Sequence, residues 1–225
     1  MLARIAKANP RIYALANVMN DEAPAAAEAA DRALASGGAI GPLHGVPVTI
    51  KVNVDTAGLA TTDGIVAAAG NIAATDKPLV AHLRAAVAAA AAMATGMGPI
   101  AQGNDHGGSV RDPAWACGVV GLRTTVGRLP SYKASATNRT PTNQMMSVQG
   151  PLTRNVAGAR LALAEMAQGS PLDPNWLPAP LEDSDNGRAL RVAVFKRHAA
   201  FDTDPSAVAA IEQAAGWSVQ EALAR

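Results

Sequence analysis

The chain has 225 residues, a length that can provide one α/β domain with a sizeable core. Hydrophobic residues make up 49% and aromatic residues 3%, which argues against a disordered chain and leaves the core to small aliphatic side chains. A net charge of +1 without a long basic run predicts no contact with nucleic acid or with an anionic membrane. With one cysteine, no signal-peptide pattern and no membrane-length apolar stretch, we expect a cytoplasmic protein.

Strands that alternate with helices are predicted along the chain, which is the order of an α/β architecture. In the first half we predict a helix over 21–36, a strand over 46–55 with aliphatic and polar faces, a turn at 61–64 and a helix over 77–94. The glycine-rich segment 96–111 is predicted to be irregular.

The second half continues the same alternation. We predict a short buried strand over 117–122, a polar loop over 131–149, a helix over 153–168, a linker over 170–187, a strand over 190–195 and a helix over 204–215. Asp204 is the expected N-cap of the last helix, with Pro205 at its first position. We expect a single domain over 1–225.

The glycine-rich segment contains a serine that directly follows two glycines, in the run Asp105-His-Gly-Gly-Ser109. Such a serine can sit on a tight turn with little steric cover, because glycine tolerates unusual dihedral angles. Successive backbone N–H groups of the turn can then converge on an oxyanion. Ser109 is therefore a candidate nucleophile, although the same pattern fits a glycine loop that merely turns the chain.

Lys51 lies on the polar face of the strand predicted over 46–55. A lysine acts as a general base only where burial or a neighbouring cation makes its neutral form accessible near pH 7. Taken alone, Lys51 also fits a solvated lysine on the open face of a sheet. Asp55 lies four residues on and could pair with it, which would favour the charged amine.

Three segments, in the same order along the chain, resemble motifs of the amidase signature family. The run Leu-His-Gly-Val-Pro-Val-Thr-Ile-Lys at 43–51 resembles the lysine motif. The run Gly-Asn-Asp-His-Gly-Gly-Ser-Val-Arg at 103–111 resembles the nucleophile motif, and 150–157 resembles a third block. The resemblance extends with interruptions from about residue 1 to about residue 215.

The resemblance implies a three-layer α/β/α fold around a mixed sheet, here incomplete, and hydrolysis of carboxamides by a Ser–Ser–Lys triad. By residue match, Lys51 would be the base and Ser109 the nucleophile, and N–H groups of His106, Gly107 and Gly108 would bind the oxyanion. It implies no cofactor, and the partner would be a small-molecule amide substrate. The sequence does not indicate which amide, or the oligomeric state.

The chain departs from the family pattern between the first two motifs. No serine occurs between Ser36 and Ser109, so the bridging serine of the triad and its Gly-Gly-Ser-Ser-Gly-Gly type segment are absent. The segments 77–84 and 85–98 resemble two separate family helices that are fused here. Because Lys51 would have to reach Ser109 directly or through water, we expect little or no amidase activity.

A second shortening is expected near the end of the sequence. Residues 211–215 resemble the start of a family helix, and 216–219 resemble the strand that follows a longer helix. The further portion that family members have typically completes the sheet and the substrate pocket.

The remaining reactive side chains have a structural interpretation. Cys117 is expected to be a small buried thiol, Arg111 and Asp112 to form local structure near Ser109, and Met145-Met146 to fill apolar gaps. A cysteine nucleophile paired with a histidine has no supporting motif. The histidines also lack the spacing of metal ligands, and we predict no metal; they are His44, His82, His106 and His198.

Several classes of function stay open from the sequence. The first is an amidase-type hydrolase that retains Lys51 and Ser109, either impaired or working as a direct Ser–Lys dyad. The second is a non-catalytic homologue that binds a ligand or a partner. A degenerate product without a selected function is the third.

Overall fold

The computed structural model of the chain describes residues 1–37, 40–84, 98–134, 140–181 and 192–223. They form helices α1 (Leu2–Ile12), α2 (Glu22–Ala35), α3 (Pro78–Arg84), α4 (Arg111–Cys117), α5 (Pro141–Met146), α6 (Val156–Met166) and α7 (Pro205–Leu223), and a 3₁₀ turn at Val66–Ala68. The strands are β1 (Val48–Thr49), β2 (Ile100–Asp105), β3 (Val120–Gly121) and β4 (Val148–Thr153). The chain divides into two compact units, Met1–Ala179 and Pro180–Arg225, and the single domain expected from the sequence stays a prediction.

The four strands form one mixed sheet in the order β1-β2-β4-β3. β1 runs parallel to β2, with Val48 opposite Ile100, whereas β4 is antiparallel to both β2 and β3. The β2–β4 ladder spans six residue pairs, from Ile100 with Thr153 to Asp105 with Val148. The α/β class with a mixed sheet is confirmed.

The main core packs helices against this sheet. Leu152 of β4 and Ala101 of β2 pack with Leu79 and Leu83 of α3 and with Met166 of α6, and all five are at most 1% exposed. Gly103 leaves room for two core side chains: a Cβ there would lie 2.9 Å from Leu152 Cδ1 and 3.0 Å from Val110 Cγ2. Burial of this apolar surface is the main force that holds the helices on the sheet.

The helices follow the sequence predictions most closely. The helices expected over 21–36 and 153–168 form α2 and α6, and the predicted turn at 61–64 is closed by Ile65 N donating to Thr62 O at 2.8 Å. α3 forms the start of the helix expected over 77–94, and residues 85–94 lie outside the described residues. Asp204 caps α7, since its Oδ1 accepts from Ser206 N at 2.8 Å.

Several of the strand predictions were wrong. The strand expected over 46–55 stops after Thr49, because the chain turns where Val54 N donates to Lys51 O at 2.9 Å. The glycine-rich segment expected to be irregular contains β2, and β4 begins inside the expected loop 131–149 and ends inside the expected helix 153–168. Of the strand expected over 190–195, residues 192–195 form no strand and 190–191 lie outside the described residues; 216–219 belong to α7.

The expected burial of two groups was also wrong. Cys117 ends α4 and is exposed, and the strand expected over 117–122 is limited to Val120–Gly121. Met145 and Met146 lie on α5, a helix within the expected loop, and are 71% and 47% exposed. Neither group fills the core.

Candidate active site

The parallel pairing of β1 and β2 brings two distant segments to one edge of the sheet. The carboxyl ends of parallel strands lie at the same edge, which is where open α/β sheets bind ligands. Lys51 follows β1, and the run from Asp105 to Ser109 follows β2. A side-chain contact joins the segments, because Lys51 N donates to Gln102 Oε1 at 3.3 Å.

The turn that carries Ser109 is organised by the carboxylate of Asp105. Asp105 ends β2 and is fully buried. Its Oδ1 accepts from Gly108 N at 2.9 Å, and its Oδ2 accepts from Val110 N at 3.2 Å and Arg111 N at 3.3 Å. One side chain therefore fixes the backbone on both sides of Ser109.

Two arginines balance the buried charge of Asp105. Arg111 donates from Nε to Oδ2 and from a terminal nitrogen to Oδ1, both at 3.0 Å, and Arg123 Nε lies 3.9 Å from Oδ1. The hydrogen bond from Arg111, helped by the backbone N–H groups of Val110, Gly108 and Arg111, holds the pKa of Asp105 well below its usual range against the opposing effect of burial. The predicted local structural role of Arg111 is confirmed.

Gly108 has to be glycine for the turn to form. Its φ is +132°, and a Cβ there would overlap the carboxylate of Asp112. A Cβ on Gly107 would meet open space. The result is a turn on which Gly107 and Ser109 are exposed, His106 is half-buried and Gly108 is buried.

Lys51 occupies an environment that favours its neutral form. Burial lowers the pKa of its amine, and the charges of Asp105 and Asp63 oppose that effect without cancelling it. Within the described part of the chain, Lys51 Nζ forms no hydrogen bond or ion pair, and neither does Ser109 Oγ. The two side chains share an edge of the sheet but are not hydrogen-bonded to each other.

Asp55, which the sequence offered as a possible partner of Lys51, bonds to a different residue. Its buried carboxylate accepts from Thr61 Oγ1 at 2.8 Å. In this part of the chain, Asp63 is the acid whose charge raises the pKa of Lys51. The turn that contains Asp63 is joined to the turn after Lys51, because Thr62 N donates to Val52 O at 3.0 Å. Asp63 also pairs with Lys133 at 3.4 Å.

Sequence reasoning identified the segments of the site but not Asp105. The signal for Asp105 is an acid directly before a glycine turn, followed six residues later by an arginine that can return to it. The sequence contained no comparable signal for Asp63, because its effect on the pKa of Lys51 depends on the contact between two turns.

Among the described residues, no three histidine, cysteine or acidic side chains lie close enough together to hold a metal ion. In the same residues, no helix has the length and apolar character needed to cross a bilayer.

Comparison with known proteins identifies the family. The Amidase family model matches residues 1–89 and 88–218. An indoleacetamide hydrolase of Bradyrhizobium diazoefficiens is 38% identical over 95% of this chain and 49% of its own length. A glutamyl-tRNA(Gln) amidotransferase subunit of Geobacter sulfurreducens is 32% identical over 95% of this chain and 52% of its own. The chain belongs to the Amidase family.

Solved structures agree with this assignment. The peptide amidase of Stenotrophomonas maltophilia is 28% identical and superposes with a TM-score of 0.69, over 84% of this chain and 46% of its own. The chain thus spans about half the length of the relatives it matches.

The matches also show where this chain differs from its relatives. The alignment with the indoleacetamide hydrolase covers 256 positions, more than the 225 residues of the chain, so the relative has residues without a counterpart here. The two segments of the family match meet at residues 88–89. That point lies between Lys51 and Ser109, within the segment where two family helices were expected to be fused.

Proposed function

We propose that this chain is an amide hydrolase that forms an acyl-enzyme on Ser109, with Lys51 as the base and the N–H groups of His106, Gly107 and Gly108 as oxyanion donors. The observation that carries the proposal is the turn held by Asp105 next to a lysine with a lowered pKa. A serine exposed on a turn fixed by hydrogen bonds and an amine whose pKa is lowered are components that nucleophilic acyl transfer uses. The substrate is a small carboxamide.

The reaction proceeds in two stages. In the first, Ser109 Oγ attacks the amide carbonyl carbon as its proton passes towards neutral Lys51, and the oxyanion accepts hydrogen bonds from the turn. The C–N bond then breaks, and the proton leaves with the amine. In the second stage water attacks the ester carbonyl, the Oγ–C bond breaks, and a carboxylic acid and free Ser109 result.

We further propose that the first stage is slow. The absence of a hydrogen bond between the described side chains of Lys51 and Ser109 supports this, since a base works within about 3 Å of the proton or through one water. A water molecule must then carry the proton in place of the missing bridging serine. Poor placement of a general base costs about 10²–10⁴-fold in rate.

Labelling with a fluorophosphonate tests this proposal without knowledge of the substrate. Intact-mass analysis should show one adduct on the natural chain, none on Ser109→Ala and slower labelling of Lys51→Met. Ser36→Ala is the matched control, because Ser36 is an exposed serine whose Oγ donates to Ala33 O. Its labelling should be unchanged, and a thermal melt of each variant establishes that it is folded. Labelling that persists in Ser109→Ala contradicts the proposal.

A second function has support from one observation. No serine lies between Ser36 and Ser109, and the missing bridge favours a non-catalytic homologue that binds a ligand or a partner. The relatives include a subunit of a glutamyl-tRNA(Gln) amidotransferase, and a role in binding a partner chain is compatible with that likeness. A folded chain that takes no label would favour this function over catalysis.

A further inference from the structure

Two asparagines lie where the two segments of the candidate site meet. Asn53 is two residues beyond Lys51, and Asn104 directly precedes Asp105. The side chains contact each other, with Asn53 Nδ2 donating to Asn104 Oδ1 at 3.2 Å. Both residues are half-buried, at the carboxyl edge of the parallel strands β1 and β2.

This contact leaves hydrogen-bonding capacity unused. Asn53 Oδ1 is buried and has no partner among the described residues, and Asn104 Nδ2 makes no hydrogen bond to them. A side-chain amide has one carbonyl acceptor and one NH₂ donor group. Among the described residues, the pair therefore leaves one acceptor and one donor group unpaired. Exchanging the oxygen and nitrogen of both amides reverses the contact but leaves the same balance.

Other unpaired atoms lie in the same segments. Thr49 Oγ1 on β1 and His106 Nδ1 on the turn that carries Ser109 are also buried without a partner among the described residues. Buried polar atoms in folded proteins are normally hydrogen-bonded, so a concentration of unpaired ones requires an explanation. A polar ligand that enters at this edge of the sheet provides one.

We propose that the Asn53–Asn104 pair is a subsite that binds a carboxamide group carrying at least one N–H, with the N–H donating to the free carbonyl oxygen and the C=O accepting from the free NH₂ group. A carboxamide offers one donor and one acceptor, which is the complement of what the pair leaves unused. An ester offers only the acceptor. The inference rests on the proposed function in that it names the substrate class of the same site, but binding does not require turnover.

Two features make this pair a determinant of specificity. Asn53 lies two residues from Lys51 and Asn104 directly precedes Asp105, so the pair belongs to both segments of the candidate site. A site that hydrogen-bonds a ligand N–H discriminates strongly against an analogue without it, because the buried acceptor then stays unpaired. The neutral side chains also avoid a charge that would pair with Lys51 and hold it protonated.

Binding of a ligand series to the full chain tests the subsite. The probes are phenylacetamide, N-methylphenylacetamide, N,N-dimethylphenylacetamide and methyl phenylacetate, and affinities are measured by isothermal titration calorimetry in the Ser109→Ala background, where no acyl-enzyme can form. We expect the two probes with an N–H to bind about tenfold more tightly than the two without one. Equal affinities across the series, or no binding of any probe, would overturn the proposal without use of a site variant.

Variants then assign the preference to the pair. Asn53→Leu and Asn104→Leu should each reduce the amide preference to about twofold or less. Asn9→Leu is the matched control, since Asn9 is half-buried and uses its side-chain amide in two contacts with Leu15 at 2.9 and 2.8 Å. It should keep the preference even if it lowers the melting temperature. A preference that survives in both site variants overturns the proposal. Fluorophosphonate labelling of the natural chain, measured in parallel, reports separately whether the proposed catalysis fails.

Discussion

At the scale of single residues, the carboxylate of Asp105 is the group on which the Ser109 turn depends. It accepts hydrogen bonds from the backbone of Gly108, Val110 and Arg111 and from the side chain of Arg111. Every one of these bonds favours the ionised form. The folded chain therefore binds a proton at Asp105 less readily than the unfolded chain does.

This difference predicts a specific dependence of stability on pH. The folded pKa of Asp105 lies below the unfolded value of about 3.9, so its contribution is fully present above about pH 4 and is lost as the pH falls through the folded pKa. Asp105→Asn should lower the free energy of unfolding by about 3 kcal/mol at pH 7. The difference from the natural chain should shrink on acidification, as measured by urea denaturation between about pH 5 and pH 2.

Asp112→Asn is the control for this prediction. Asp112 is an exposed acid in the first turn of α4, and its carboxylate forms no hydrogen bond within the described residues. Its replacement should cost less than about 0.5 kcal/mol. An undiminished difference between Asp105→Asn and the natural chain at low pH would contradict the assigned role.

Asp63 provides a test of the assignment of Lys51 as the base. The negative charge of Asp63 raises the pKa of Lys51 against the effect of burial, so its removal in Asp63→Asn should lower that pKa further. The pH profile of fluorophosphonate labelling should then move to lower pH, and the move should diminish in 1 M salt. Asp31→Asn, an exposed acid of α2 that does not shift Lys51, should leave the profile in place. A profile that moves upward would be inconsistent with Lys51 as the base.

At the scale of secondary-structure elements, β4 is the strand on which the sheet is centred. All six of its residues are buried, and it pairs with β2 on one side and β3 on the other. Leu152 contributes the largest apolar side chain of β4 to the core and is 1% exposed. The strand is therefore expected to be more sensitive to truncation of side chains than the helices that cover it.

Replacement of Leu152 measures this sensitivity. Leu152→Ala should lower the free energy of unfolding by about 2–5 kcal/mol, through lost burial and the cavity left behind. Leu161→Ala on α6 removes the same atoms from a residue that is 37% exposed and should cost about 1 kcal/mol or less. Urea denaturation of both variants makes the comparison, and equal losses would show that β4 is not central to the core.

Local signals in the sequence were enough to predict α2, α6 and the starts of α3 and α7, but not α4 or α5. α2 ends near a glycine with φ of +71°, and α7 begins at an aspartate cap followed by proline. The family motifs likewise marked Lys51 and Ser109 as candidates without any knowledge of the fold. Each of these signals is contained in a few neighbouring residues.

The strands β2 and β4 could not be predicted because distant contacts stabilise them. β2 contains Gly103 and three polar residues, and β4 contains Pro151 at a central position, which is unfavourable for a strand considered alone. One of these polar side chains is paired across the sheet, where Gln102 Nε2 donates to Gln149 Oε1 at 2.8 Å. The turn around Asp105 was missed for the same reason, since its hydrogen bonds exist only after the backbone has folded.

At the scale of the whole chain, the unit Met1–Ala179 contains the main core and a smaller apolar cluster around Ile5. It also contains every residue of the candidate site. We predict that a chain ending at Ala179 melts cooperatively, within a few degrees of the full chain. A chain ending at Asn155, which lacks α6 and its buried Ala162 and Met166, should show no cooperative melt. Circular dichroism compares the two chains, and an unfolded 1–179 chain would mean that the second unit is required.

The pairing of β1 with β2 has a kinetic consequence. The contact between Lys51 and Gln102 joins residues 51 positions apart, and that between Gln102 and Gln149 joins residues 47 positions apart. Sheets closed by such distant contacts form slowly, because loop entropy is lost before the contacts compensate for it. No short stretch of the chain can hold both the Lys51 amine and Ser109 in place. Activation of Ser109 therefore requires that β1 and β2 have paired. If Ser109 reacts, the rate at which its fluorophosphonate adduct appears during refolding will report when β1 pairs with β2. The same reagent will then measure both reactivity and folding.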